Sequence, residues 1–114
     1  MQFGLAVIHG LYTTYDTNLW DVVARMGRAA EESGFDSIWI YDHLMWGASA
    51  GENAPAPNQD AFVALSALAA VTTRLRLGQL VLGVPYRNPA LVAKMQTSLD
   101  IVSHGRTILG LGAA

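Results

Sequence analysis

The sequence predicts a parallel α/β fold in which four strands alternate with three helices. Two observations lead to this prediction. The strand candidates are continuous apolar runs, and such runs are typical of parallel strands that are buried on both faces. The segments between them carry apolar residues at helical spacing, so that strands and helices follow one another along the chain.

The four predicted strands cover residues 3–8, 35–40, 75–84 and 107–111. A first helix is predicted from Leu19 to Ser33, and Gly34 ends it. Its apolar positions recur at helical spacing, while Asp21 and Arg25 form an i,i+4 pair on the other face.

The second helix, residues 61–71, is apolar almost all round, which predicts burial on most sides. The third helix begins where Asn88 provides an N-cap and Pro89 occupies the first turn. Its predicted buried stripe consists of Leu91, Val92, Met95, Leu99 and Val102.

Composition narrows the functional classes. The 114 residues are 52% hydrophobic and 14% charged, as expected for one domain with a real core. A net charge of -2 without a basic run argues against binding to nucleic acid or an anionic membrane, and neither a signal peptide nor a spanning apolar stretch is found. The chain has no cysteine, which excludes disulfides and thiolate chemistry and suits a cytoplasmic location.

Topology adds a further expectation. Right-handed crossovers between strands in sequential order place every helix on one face of the sheet, so the other face would lie bare. A doubly wound sheet avoids this by reversing its strand order, and a barrel avoids it by closing around that face. Four strands cannot close such a barrel. In sequential order, therefore, the chain would need another half, from a longer protein or from a second copy.

Asp42 and His43 directly follow the second strand, at the carboxyl edge where parallel α/β folds bind ligands. An imidazole exchanges protons near neutral pH, so His43 is a candidate acid or base, with Asp42 binding or orienting beside it. A pair of residues that only caps the loop is the alternative interpretation.

The other candidates are weaker. Trp46 lies at the mouth of the long loop and would either form an aromatic wall for a flat ring or pack the loop down. His9 ends the first strand. A lone histidine in such a place more often has a structural role than a functional one. His104 falls in a turn at the opposite edge, where we expect it to be solvated. No histidine spacing predicts a metal site. The glycines of Gly110–Gly112 are a weak dinucleotide signal, because no helix follows them.

Three blocks of the sequence resemble the luciferase-like monooxygenase superfamily, which includes the bacterial luciferases and F420-dependent oxidoreductases. They are EESGFDSIWIYDH (residues 31–43), RLRLGQLVLGVPYRNPALVAK (residues 74–94) and LDIVSHGRTILGLG (residues 99–112). The blocks occur in the family's order and spacing and cover nearly the whole chain. The chain is therefore identified as resembling the N-terminal half of a (β/α)8 TIM-barrel enzyme, with four strands of eight.

This resemblance implies a cofactor, FMN or F420, at the carboxyl edge, with hydride passing at its central ring. It assigns proton transfer to His43 and cofactor contact to Asp42. A cis peptide between Leu80 and Val81 would form a bulge that supports the ring. Trp46 is one position away from a tryptophan in the active site of the glucose-6-phosphate dehydrogenase branch.

A complete barrel needs about 250 residues, so the expected unit is a half-barrel. We expect a homodimer or larger self-assembly to close it, and a small molecule as substrate. Two alternatives stay open. One is a non-catalytic structural or cofactor-binding half-barrel, and the other is a small doubly wound domain that binds FMN at its switch point.

Overall fold

The computed structural model describes residues 1–7, 18–44 and 58–113. Four strands form one parallel sheet in the order β1-β2-β3-β5, which follows the sequence. This confirms the predicted sequential order and contradicts the doubly wound alternative. The strands, with the two of a smaller sheet, are β1 (Gly4–Val7), β2 (Ser37–Ile40), β3 (Arg76–Gln79), β4 (Leu82–Gly83), β5 (Thr107–Ile108) and β6 (Leu111–Gly112).

The third predicted strand is interrupted at Leu80–Val81, where the family resemblance implied a bulge. The fourth is interrupted at Leu109–Gly110, which the sequence did not predict. Beyond the interruptions, β4 pairs with β6 in parallel. The third strand advances four positions from Gly78 to Leu82, while its neighbour advances three from Ile108 to Leu111. One extra residue on the third strand therefore makes a bulge. The peptide between Leu80 and Val81 at this bulge is cis, as expected.

Three helices begin at side chains that cap their first turns: α1 (Leu19–Glu32), α2 (Ala61–Val71) and α3 (Pro89–Val102). Asn18, Asp60 and Asn88 each accept a hydrogen bond from an amide of the first turn. Gly34, with φ +85°, follows α1 and turns the chain towards β2.

The core lies between one face of the sheet and the helices. Alternate strand residues such as Val7, Ile38, Ile40 and Leu77 point to this face and are at most 1% exposed. The same cluster contains residues from α1, α2 and α3, so all three helices pack on one side, as predicted.

The opposite face of the sheet carries Trp39. Its indole lies across the flanking strands, where a Cβ added at Gly4 or Gly78 would come within 2.5 Å of the ring. The indole Nε1 donates to Ser37 Oγ at 2.9 Å. Ala6 and Trp39 therefore belong to the face without helices, and glycines on both neighbouring strands make room for the ring.

The predicted stripe of α3 is correct only in part. Leu99 is buried, and Val92 and Met95 pack against the core. Leu91 and Val102, however, are 51% and 55% exposed. The reason is position, because β5 and α3 are the last units of the sheet and of the helix layer, so one flank of α3 has no neighbour among the described residues.

The amino edge of the sheet is held by two charged side chains. The Glu31 carboxylate accepts hydrogen bonds from the backbone N–H groups of Thr73, Arg74 and Leu75. The Arg106 guanidinium donates to the carbonyls of residues 69, 72, 75 and 103. These bonds connect α1, the end of α2 and the turn before β5. They therefore hold together the loops at the amino ends of the strands.

Candidate functional site

Two strand ends bring the predicted site residues together. Because β2 and β3 are parallel neighbours, Tyr41, Asp42 and His43 leave the sheet at the same edge as Leu80 and Val81. The Leu80 N–H donates to the Ile40 carbonyl at 2.9 Å, which joins the two segments where the strands end.

A cavity of about 180 Å3 lies at this edge. Four of the five predicted site residues line it, while the fifth, Trp46, lies outside the described residues, as does His9. The lining consists of Tyr41, Asp42, His43, Leu80, Val81, Gly83 and Tyr86.

The cavity has an apolar wall and an exposed imidazole. Leu80 and Val81 are 42% and 41% exposed, which is unusual for aliphatic side chains at the centre of a sheet edge. The rings of Tyr41 and His43 lie with their centroids 5.8 Å apart. The backbone carbonyl of His43 accepts a hydrogen bond from the Asn58 side chain. The histidine therefore has a defined backbone position at the cavity rim.

Asp42 is buried, with its side chain 2% exposed. Its Oδ2 accepts from the Gly83 N–H at 3.1 Å and from Arg87 Nη1 at 2.5 Å, while Oδ1 accepts from Arg87 Nη2 at 2.8 Å. The carboxylate thus has a bidentate cationic partner, and its cofactor contact stays a prediction.

Arg87 is the residue of this edge that the sequence analysis missed. Its Nη2 also donates to Asp60, the N-cap of α2, and its guanidinium lies 5.8 Å from the centre of the Phe62 ring. The hydrogen bond to Asp42 raises the pKa of Arg87, and the carboxylate of Asp60 raises it further. Together they outweigh the effect of burial, so Arg87 is a permanent cation. The one sequence signal was its place just after the third strand, at the same edge as Asp42.

The glycines near the chain's end serve strand packing. A Cβ at Gly110 would lie 2.0 Å from the backbone oxygen of Gln79, and one at Gly112 would lie 2.2 Å from Val81 Cγ2. Their small size therefore lets the fourth strand pass close to the bulge of the third. This explains a glycine pattern that the sequence alone associated weakly with a dinucleotide.

His104 lies at the amino edge, exposed and with φ +58°, as expected for a solvated turn residue. In the part of the chain that the structure describes, no three His, Cys, Asp or Glu side chains form a group that would hold a metal ion. None of the helices described is long and apolar enough to cross a membrane.

Sequential parallel strands, helices on one face and a cavity at the carboxyl edge define half of a TIM-barrel-type α/β fold. The comparisons with known proteins agree. The sequence model of the luciferase-like monooxygenase family matches residues 1–114, and the chain belongs to this family.

Two relatives are similar to this chain in sequence. A 5,10-methylenetetrahydromethanopterin reductase of Methanolobus tindarius is 37% identical over 90 residues, which is 79% of this chain and 24% of the relative. An F420-dependent glucose-6-phosphate dehydrogenase of Kineococcus radiotolerans is 42% identical over 84 residues, 73% of this chain and 24% of the relative. The matched region thus spans about a quarter of these relatives' length.

Solved structures show the same fold. The F420-dependent tetrahydromethanopterin reductase of Methanopyrus kandleri superposes with a TM-score of 0.77 and 26% identity, over 99% of this chain and 27% of that one. A monooxygenase of Streptomyces bottropensis gives 0.81 at 26% identity, over 100% of this chain and 33% of that one. An F420-dependent secondary alcohol dehydrogenase, in complex with an F420-acetone adduct, gives 0.73 at 26% identity, over 99% and 32%.

Proposed function

We propose that this chain supplies half of the cofactor site of an F420- or FMN-dependent oxidoreductase, in which hydride passes at the cofactor's central ring. The observation that carries the proposal is the cavity, because it brings His43 and the Leu80–Val81 bulge together at the edge where such barrels bind ligands. The F420-dependent relatives support the choice of cofactor class.

The lining residues fit the ring portion of such a cofactor. Leu80 and Val81 offer uncovered apolar surface, and the aromatic rings of Tyr41 and Tyr86 suit a flat conjugated system. The volume of about 180 Å3 lies below the usual range for a whole ligand, roughly 300–1,000 Å3. None of the described lining residues is a lysine or arginine that could bind a phosphate. Arg87 lies behind the cavity and is held by Asp42 and Asp60. The described part therefore accounts for the ring subsite.

In this proposal a bound deazaflavin or flavin supplies the hydride donor or acceptor. This chain's own residues would hold the ring and transfer a proton. Leu80 and Val81 support one side of the ring and exclude water from it, and Gly83 leaves room beside the Tyr86 ring. His43 gives or takes a proton at an imidazole nitrogen as the substrate carbonyl or alcohol changes oxidation state.

His43 provides the sharpest test. His43→Ala should keep Tm within a few degrees, because the side chain is exposed, while turnover falls by about 10²–10⁴. Turnover is followed as loss of visible F420 absorbance with glucose 6-phosphate or a secondary alcohol. His104→Asn, at the amino edge, is the matched control and should leave turnover unchanged. Equal turnover in wild type and a folded His43→Ala variant would exclude the proton role.

A second candidate function is a half-barrel that binds cofactor without turnover. The small cavity and the lack of a described phosphate partner favour it. Fluorescence titration with F420 and with FMN separates the two. Saturable binding with no turnover for any substrate would support the second candidate, and absence of binding to either cofactor would defeat both.

We also propose that two copies associate to close the barrel. Among the described residues, β1 pairs only with β2 and β5 only with β3, so both outer edges carry open backbone groups. Covering about 800 Å2 of apolar surface on each partner would contribute on the order of 20 kcal/mol per partner before association costs. Light scattering at micromolar concentration should give twice the mass of one chain. A cooperative, native-like monomer would contradict this assembly.

A further inference from the structure

Arg87 connects three separate segments behind the cavity. It bonds to Asp42 after β2 and to Asp60 at the start of α2. In the chain it directly follows the 3₁₀ turn Val84–Tyr86 that comes after β4. Its side chain is 13% exposed, so the guanidinium is largely enclosed by these segments. Arg87 does not line the cavity, although its partner Asp42 does.

The same contacts limit what Asp42 can do. A carboxylate has about four acceptor positions, and three of those of Asp42 are used by Arg87 and the Gly83 N–H. Asp42 is therefore tied to the turn on the far side of the cavity. Since Tyr41 and His43 are its chain neighbours, the bonds of this carboxylate constrain the backbone from which their side chains extend.

We propose that Arg87 is a positioning residue: through Asp42 and Gly83 it holds the rim that carries His43 against the bulge at Leu80–Val81. The inference rests on the proposed function for the identity of the ligand. The positioning itself concerns contacts within the chain, so it is testable without any cofactor.

The geometry requires arginine in particular. The planar guanidinium of Arg87 donates two parallel hydrogen bonds to Asp42, and its Nη2 also donates one to Asp60. A lysine keeps the positive charge but donates from one nitrogen, so it cannot fix the carboxylate in two places. Arg87→Lys thus removes the orientation while it retains charge compensation.

Arg106 is a matched control. It too is a partly buried arginine with several hydrogen bonds, but it serves the amino edge, bonding to Thr72 and the Leu75 carbonyl among others. Arg106→Lys should lower stability in a similar way and leave the cavity alone. Comparison of the two variants separates positioning of the rim from general support of the fold.

The experiment uses the whole chain, without ligand and then with F420 or FMN. In Arg87→Lys, we expect the ring proton signals of Tyr41 and His43 to shift and exchange of the Gly83 amide to rise by roughly tenfold or more. Affinity for the cofactor should fall about 10–100-fold, the loss seen at metal sites when a residue that orients a ligating group is replaced. Arg106→Lys should change none of the three.

A double variant tests the same positioning role if single changes unfold the chain. Asp42→Asn with Arg87→Met removes both charges, which costs far less than leaving one buried charge alone. We expect it to fold, with His43 signals and cofactor affinity still altered as in Arg87→Lys.

Two results would overturn the positioning role. One is unchanged His43 signals and Gly83 exchange in Arg87→Lys. The other is wild-type affinity and signals in the double variant, because only charge compensation would then matter. If wild type binds neither cofactor, the proposed function fails, while the ligand-free signals still decide the role of Arg87.

Discussion

At the amino edge of the sheet, Glu31 and Arg106 bond almost entirely to backbone groups, whereas at the carboxyl edge Asp42 and Arg87 bond mainly to each other. The first arrangement holds the loops of this edge together through backbone hydrogen bonds. The second encloses an ion pair behind a cavity and leaves Leu80 and Val81 uncovered. Similar side chains therefore hold loops together at one edge and lie behind a cavity at the other.

Glycines at the two edges also differ in how closely they are packed. A substitution at one of them gives the largest expected loss of stability. Gly110→Ala should cost about 3 kcal/mol, because the new Cβ would meet the Gln79 backbone oxygen where the chain cannot easily shift. Gly105, at the amino edge, has φ +78° and nothing within 4 Å of a Cβ, so Gly105→Ala should cost only about 1–2 kcal/mol. Urea unfolding of both variants measures the difference. Equal losses would mean that close approach at the bulge is unimportant.

Glu31 gives a smaller, pH-dependent effect. Partial burial raises its pKa, but the backbone N–H groups of Arg74, Leu75 and Thr73 outweigh this and hold the pKa below the ordinary 4.5. A lowered pKa means that the carboxylate stabilises the fold above the unfolded-state value, and that this is lost as pH falls through the folded-state pKa. Glu31→Gln should lower Tm by about 4 °C at pH 7 and by progressively less below about pH 4.5.

The control for that experiment is Glu32→Gln, at the exposed neighbouring position. It should change Tm little at either pH, as exposed substitutions generally do. A Glu31→Gln difference that stays constant from pH 7 to pH 3 would show that the carboxylate's charge plays no part in holding the amino edge.

Local signals predicted much of the fold. The second helix was predicted over residues 61–71 from its apolar run and is observed over Ala61–Val71. Its cap, Asp60, was not part of the prediction. The start of α3 was equally clear from Asn88 and Pro89. The exposure of Leu91 and Val102 was not predicted, since helical spacing marks an apolar stripe but does not say whether a neighbour covers it.

The residues of the candidate site were also predicted only in part, because the sequence shows local position but not long-range partners. Asp42 and His43 stand at a strand end, which sequence order alone identifies, and the Leu80–Val81 bulge followed from family resemblance. The partner of Asp42 is 45 residues away along the chain, and only the packed fold brings Arg87 to it. Long-range ion pairs of this kind leave no periodic trace in a single sequence.

The proposed function requires ligands to bind at the carboxyl edge of the sheet. An amide NMR titration of the whole chain with F420, repeated with FMN, tests it most directly. We expect the signals of Tyr41, His43, Val81 and Gly83 to move and saturate together, while those of residues 73–75 and Arg106 stay in place. Saturable shifts at the amino edge, or no shift at the carboxyl edge at millimolar cofactor, would contradict the account.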